Sequence, residues 1–318
     1  MNERVRRLRE QSLASRPKIS LQRAELMTGF YQKEQGKHSV PVMRALAFDH
    51  LCRQKTLFIG EGELIVGERG PEPLAVPTFP ELTCHSPEDL EILDRREKTS
   101  YAVDAEAVQI QRDRIQPYWQ GRSLRDRIFP LLPKAWHEAY AAGVFTEFME
   151  QRAPGHTVAD GKIYQKGLRQ LQAEIDEALA DLDYHNDKEA VSRQQQLQAM
   201  HIAAEACIHF ARRHAELARE MAAECTDAKR RLELEKMAET CQQVPAEAPR
   251  NFQEALQSYW FHHLAVITEL NGWDSFNPGH LDQHLLPFYE QDLASGLLDR
   301  EGAKELLECF WVKFNNHP

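Results

Sequence analysis

Apolar side chains recur every three or four positions along most of the chain, the spacing of one face of an α-helix. After a short amphipathic helix that ends near Arg16, this spacing returns in the stretch "ISLQRAELMTGFY". Ser20 is a favourable N-cap residue, so we predict that a second helix starts there and ends at Gly36. Pro41 fits the first turn of a third helix, "VPVMRALAFDHLCRQK".

The second half of the chain is more strongly helical. Residues from about 165 to 243 are rich in Ala, Gln, Glu, Arg and Leu, with expected breaks near 184–187 and 225–227. Asp227 or Thr226 can cap the helix after the second break. Further helices are predicted from Phe252 to Leu270 and from Asp299 onwards. The pattern therefore predicts a mainly α fold.

One region departs from the helical pattern. The stretch "TLFIGEGELIVGERGPEPLAVPTFPEL" combines β-branched residues with several glycines and prolines. This composition favours one or two short strands followed by an extended segment.

The last predicted helix carries apolar residues on nearly every side, in "ELLECFWVKFNNHP". A helix of this kind is expected to be buried all round. We therefore expect that the chain is a fragment of something longer, or else that this helix lies in an oligomer interface.

Composition and charge narrow the possible functions. The 318 residues carry a formal net charge of -10, with dispersed basic residues, which argues against a general affinity for nucleic acid or anionic membranes. The absence of a long apolar run and the charged start, "MNERVRRLREQSL", favour a cytoplasmic protein. The six cysteines are scattered without a CxxC pair, so we expect reduced and mostly buried thiols.

Two polar segments interrupt the helices and carry candidate chemistry. His156 follows a Pro-Gly turn in "RAPGHT", and Asp274 stands beside Trp273 in "NGWDSFNPGH". An imidazole in a loop can act as acid, base or hydrogen-bond donor, or it can bond a loop carbonyl. An aspartate in such a segment can bond its own backbone, or an aromatic wall can raise its pKa for proton transfer.

Other sites find little support in the sequence. His280 and His284 stand one helical turn apart, but no third ligand is evident, so we predict no metal site. The sequence contains no GxGxxG, no GxxxxGK[ST] and no GxSxG motif. Residue patterns alone indicate a mainly helical domain with two loop-borne polar clusters.

Six stretches together resemble the pyruvate formate-lyase-like glycyl radical enzymes. They are "ISLQRAELMTGFY", "VPVMRALAFDHLC", "GELIVGERG", the stretch from Glu216 to Cys241, "NFQEALQSYWF" and "GHLDQHLLPFY". The resemblance implies that residues 1–318 form the N-terminal, helical part of the family's α/β barrel domain, with a few short strands.

The loops "FTEFMEQRAPGHTVADGKIY" and "ELNGWDSFNPG" resemble those of family members that dehydrate trans-4-hydroxy-L-proline to a pyrroline carboxylate. This resemblance implies that His156 and Asp274 line the substrate pocket near the hydroxyl. It also implies that Phe148 packs on the substrate ring and that Trp273 forms a neighbouring wall. Alternatives are another dehydratase or lyase of the family, such as a diol dehydratase, a decarboxylase or a formate acetyltransferase-like enzyme, and a non-catalytic helical interaction module.

The sequence departs from the family in its radical chemistry. None of the six cysteines stands in the Gly-Cys-x-Glu context of the family's thiyl cysteine, and the Arg-Val-Ala/Ser-Gly-Tyr-like context of its radical glycine is also missing. We therefore predict no catalytic residue and no bound cofactor in this chain, which would be inactive alone. The resemblance implies that the complete enzyme holds a glycyl radical installed by a radical-SAM activase, binds a small hydroxyproline-like molecule and forms a homodimer.

Overall fold

The computed structural model describes residues 1–144, 158–270 and 276–316. Its helices and two short strands follow one another in the order given below. The N-terminal part contains α1 (Glu3–Ala14), β1 (Lys18–Ser20), α2 (Gln22–Glu34), α3 (Val40–Gln54), β2 (Ala75–Pro77), α4 (Pro87–Arg95), α5 (Ala105–Ile110), α6 (Gln116–Trp119), α7 (Leu124–Ile128) and α8 (Lys134–Ala141). The remainder contains α9 (Lys162–Gln165), α10 (Leu168–Ala180), α11 (Ala190–Glu224), α12 (Ala228–Gln243), α13 (Phe252–Glu269), α14 (Leu281–Ser295) and α15 (Arg300–Asn315).

This architecture confirms the predicted mainly α fold. The helix breaks near 184–187 and 225–227 are present, and the Asp227 carboxylate caps α12 by accepting a hydrogen bond from the Arg230 amide. The side chains of Asn251 and Asp299 cap α13 and α15 in the same way. Because each capping bond joins residues a few positions apart, the starts of these three helices could be predicted from the sequence.

The prediction that Ser20 caps a helix was wrong. It lies in β1, and α2 begins one residue later, with Leu21 at the N-cap and no side-chain capping bond. β1 pairs in parallel with β2, so that Ile19 lies opposite Val76. This long-range pairing overrides the local helix-start signal. In the region predicted to hold one or two strands, the structure has the single strand β2.

The main hydrophobic core lies between α3, α11, α12, α13 and α15. Trp260, Tyr259 and Phe261 of α13 are almost completely buried there, together with Phe310 of α15. The expectation that α15 is buried all round was wrong for one side, because the Trp311 side chain is 51% exposed. α13 is therefore the central helix, and it ends directly before residues 271–275.

The loop before β2 is tied to this central helix. Gly67 has a φ of +108°, and a side chain there would collide with Leu264. The Gly67 carbonyl accepts a 2.9 Å hydrogen bond from the Trp260 indole. Glycine thus allows the loop to approach α13 closely. Among the described residues, no helix is both long and apolar enough to cross a membrane.

Candidate functional site

The four residues predicted to line a substrate pocket lie outside the described residues. Phe148 and His156 belong to segment 145–157, and Trp273 and Asp274 belong to segment 271–275. The residues on either side of both segments are described.

Residues that follow the two segments are in contact with each other. The amide of Val158, which follows the first segment, donates a 3.3 Å hydrogen bond to the carbonyl of Asn277, which follows the second. Val158 is buried in the main core. The Asn277 side chain accepts a 2.8 Å hydrogen bond from the Gly279 amide, which forms a tight turn before α14. A backbone hydrogen bond thus joins residues that follow the two segments, although these residues are more than 100 positions apart in the sequence.

A second contact strengthens this junction. His284 of α14 lies 3.2 Å from the Asp160 carboxylate, and its ring stacks on Tyr164 with centroids 5.2 Å apart. Ala159 and Asp160 both have positive φ angles, +54° and +49°, which turn the chain sharply after Val158. His284 was considered with His280 as a metal pair. In the structure it instead holds the turn that follows the first segment.

The helix that leads into the second segment is fixed at its C-terminal end by Arg23. The Arg23 guanidinium donates a 2.8 Å hydrogen bond to the Thr268 carbonyl, in the last turn of α13. It also pairs with Glu81 and lies 3.8 Å over the ring of Phe79. A cation at this position satisfies a terminal carbonyl and interacts favourably with the helix dipole.

A second arginine binds the last residue of α13. Arg44 of α3 donates two hydrogen bonds to Oε1 of Glu269, one of them a 2.9 Å bond from Nε. Burial raises the pKa of the Glu269 carboxyl, and the positive charge of Arg44 opposes this shift. The carboxylate in turn raises the pKa of Arg44. Only Leu270 separates Glu269 from segment 271–275.

A cleft of about 640 Å³ is lined by residues next to both segments, Val158 after the first and Leu270 before the second. Its walls come from α3, α10, α11 and α13, and Val158 and Leu270 lie at its edge. Most of the lining is apolar and small, since α11 contributes several alanines. Arg44 and Glu269 are the charged side chains among the described residues that line it. The volume suits a small molecule.

The contact between Arg44 and Glu269 was not predicted from the sequence. They are 225 positions apart, and each belongs to a helix with ordinary helical spacing. One weak signal was present, because Glu269 is the acid at the end of the apolar run of α13. For metals, the three described ranges contain no cluster of three or more His, Cys, Asp or Glu residues able to hold an ion.

Comparisons with known proteins identify the family of the chain. The whole chain, residues 1–318, matches the family model described as pyruvate formate lyase-like. A trans-4-hydroxy-L-proline dehydratase of Clostridioides difficile is 50% identical over 316 residues, which cover 99% of this chain and 40% of the relative. An isethionate sulfite-lyase of Nitratidesulfovibrio vulgaris is 32% identical over 321 residues, covering 98% of this chain and 39% of the relative.

The three-dimensional comparison agrees. A crystal structure of the hydroxyproline dehydratase of Clostridioides difficile, with trans-4-hydroxy-L-proline bound, matches with a TM-score of 0.96 and 49% identity. The match covers 100% of this chain and 40% of that structure. The chain therefore spans about 40% of the length of these relatives. It belongs to the pyruvate formate lyase-like family of glycyl radical enzymes.

Proposed function

We propose that this chain supplies the substrate-binding loops of a glycyl radical hydro-lyase that dehydrates trans-4-hydroxy-L-proline to a pyrroline carboxylate. The observation that carries the proposal is the 50% identity to a dehydratase of this substrate over nearly the whole chain. The hydrogen bond between Val158 and Asn277 adds support, because it joins the two segments that bear the proposed pocket residues.

Each proposed pocket residue has a chemical role. Hydroxide is a poor leaving group, so it must be protonated or hydrogen-bonded as it departs. His156 and Asp274 supply this assistance beside the substrate hydroxyl. Phe148 packs against the apolar face of the pyrrolidine ring, and Trp273 closes the neighbouring wall.

The family resemblance supports the wider context of the reaction. In the complete enzyme a thiyl radical, generated from the glycyl radical, would abstract the hydrogen next to the departing hydroxyl, and a radical-SAM activase would install the glycyl radical. The 318 residues contain neither radical motif, so the isolated chain is expected to release no pyrroline product. The complete enzyme is proposed to work as a homodimer in the cytoplasm.

A chimera tests the proposal. This chain replaces the matching 40% of the Clostridioides difficile dehydratase, and the product is activated by the radical-SAM enzyme. Electron paramagnetic resonance first confirms that the glycyl radical forms. We expect pyrroline carboxylate from trans-4-hydroxy-L-proline and a loss of kcat of about 100-fold in His156→Ala and Asp274→Asn.

Asp282→Asn serves as the matched control, since Asp282 is exposed on α14 and should leave turnover unchanged. The same chimera is offered isethionate and 1,2-propanediol, which represent the alternative lyase and dehydratase activities. A radical-bearing chimera that ignores hydroxyproline and converts one of these other compounds would show that the substrate assignment is wrong.

A further inference from the structure

The outer face of α2 contains a glycine that contacts within the described structure do not explain. Gly29 lies in the interior of this helix, where glycine is destabilising relative to alanine. A methyl group at this position would meet no atom of the described residues within 4 Å, its own helix backbone aside. Crowding inside the described part of the chain therefore does not require a glycine here.

Clefts lie on both sides of Gly29. One, of about 620 Å³, lies between α2 and α3 and is lined mainly by apolar side chains such as Leu26 and Phe30. The other, of about 340 Å³, lies between α2 and residues 113–118. Glu25 and Gly29 line both clefts, so they form the ridge between them. A ridge with a glycine at its centre and a groove on each side is a shape against which a second helix can pack closely.

Two charged side chains on this ridge retain binding capacity. Glu25 and Lys33 lie one helical turn before and one turn after Gly29, on the same side of α2. Oε1 of Glu25 accepts a hydrogen bond from Arg114. Among the residues that the structure describes, Oε2 of Glu25 and the ammonium of Lys33 have no hydrogen-bond partner. The ridge thus presents a negative charge, a glycine and a positive charge on successive turns.

We infer that two copies of this chain form a two-fold dimer through the α2 face around Gly29, with the two α2 helices antiparallel and crossing at this residue. In a two-fold interface every contact between different residues occurs twice. A crossing at Gly29 places Glu25 of each copy beside Lys33 of the other, so two identical ion pairs form. This inference rests on the homodimer proposed above and assigns a surface to it.

The distribution of charge on the ridge favours a second copy over a different partner. An antiparallel copy of α2 presents its positive end to Glu25 and its negative end to Lys33. A partner surface with charges of one sign would place a like charge opposite one of these two residues. The glycine lies at the centre of this charge pattern, where the two helix backbones would approach each other most closely.

Sedimentation velocity over a range of concentrations tests this inference on the 318-residue chain, with circular dichroism to confirm that each variant is folded. The wild type should sediment as a concentration-dependent dimer. Lys33→Glu and Glu25→Lys should each raise the dissociation constant by about 10-fold, because each replaces two attractive charge pairs by two repulsive ones. The double variant restores opposite charges and should return to within about threefold of the wild type. Lys37→Glu is the matched control, since Lys37 is exposed and lines neither cleft.

Gly29→Cys tests the crossing point directly. The two-fold axis brings the two substituted positions together, so mild oxidation should link the copies by a disulfide, whereas Lys37→Cys should not be linked. The fold of each copy should be unaffected, because the Gly29 position has no described neighbour within 4 Å. The same comparison is made in the chimera, which contains the rest of the family's polypeptide. Linkage in the 318-residue chain but not in the chimera would show that this remainder covers the face, and would overturn the inference.

Three other results would also contradict the inference. A wild-type chain that stays monomeric has no such interface. A dimer that none of the substitutions weakens must use another surface. A double variant that dissociates as readily as the single variants would show that Glu25 and Lys33 do not pair between copies. Turnover of hydroxyproline by the chimera decides the proposed function separately, so the two failures are distinguishable.

Discussion

Lys313→Met removes the cation from a deeply buried cluster of three charged side chains. The Lys313 ammonium on α15 lies 2.8 Å from the Glu63 carboxylate and also pairs with Glu68. The three side chains are only 3%, 6% and 1% exposed, respectively. Methionine has a similar length and no charge, so the substitution leaves two carboxylates in the interior without their cation.

The expected cost follows from this burial. Removing one partner of a buried ion pair typically destabilises a protein by about 3–5 kcal/mol, since the remaining charge is uncompensated. Burial opposes the ammonium of Lys313, but the two carboxylates outweigh it and raise its pKa. Burial raises the pKa of Glu63 even with the lysine present. We therefore expect about 3–5 kcal/mol of lost stability at pH 7.

The loss of stability caused by Lys313→Met should increase as the pH rises. In the variant, burial favours the neutral form of Glu63, so the folded state holds this proton more tightly than the unfolded state, in which Glu titrates at about 4.3. The folded state thus binds more protons above this value, and its unfolding free energy falls as pH rises. The difference between wild type and Lys313→Met should be smaller at pH 5 than at pH 7.

Urea denaturation followed by circular dichroism at both pH values measures this difference. Lys304→Met is the matched control, because Lys304 is exposed on the same helix and should change stability by less than about 0.5 kcal/mol. Adding Glu63→Gln and Glu68→Gln to Lys313→Met should recover part of the loss. A cost below about 1 kcal/mol at pH 7, or an equal cost at both pH values, would refute the reasoning.

Three further substitutions test other parts of the structure. Burial lowers the pKa of Lys55 from 10.5 to about 8, so the unfolded state binds more protons between these values. Urea denaturation should show the wild type gaining about 3 kcal/mol relative to Lys55→Met across that range, and parallel pH profiles would contradict this. Gly167→Ala places a methyl group against the backbone of Ala246 and should cost about 1–3 kcal/mol, whereas Gly29→Ala, with no neighbour within 4 Å, should not lower the melting temperature. Asp227→Ala removes the cap of α12 and should cost about 1 kcal/mol by urea denaturation, while equal losses in Asp227→Ala and Asp227→Asn would argue against the capping bond.

The helices could be predicted because their signals are local. The periodic spacing of apolar residues and the capping side chain of Asp227 act within a few positions, so the sequence displays them directly. Ser20 shows the limit of this approach. Its local signal favoured a helix cap, but pairing of β1 with β2, more than 50 positions away, placed it in a strand. The exposure of Trp311 is likewise set by where other helices lie.

The candidate site was predictable only in part. Its two polar segments were evident from the glycines and prolines that interrupt the helical pattern. The contacts that hold their ends, such as that between Val158 and Asn277, join residues more than 100 positions apart. No single-sequence pattern records such a pairing. The Arg44–Glu269 pair was not predicted either, because its two residues are 225 positions apart. In addition, charged residues on helices are usually solvated.

Contacts among described residues hold the residues on either side of segments 145–157 and 271–275. Arg23 and Arg44 hold the end of α13, and the contact between Asp160 and His284 holds the opposite side. These bonds involve residues outside segments 145–157 and 271–275. A relative described as an isethionate sulfite-lyase aligns with 98% of this chain at 32% identity. Because these contacts lie outside the two segments, residues within the segments can differ between relatives while the helices keep their arrangement, so the side chains at the site, rather than the fold, should determine which molecule binds.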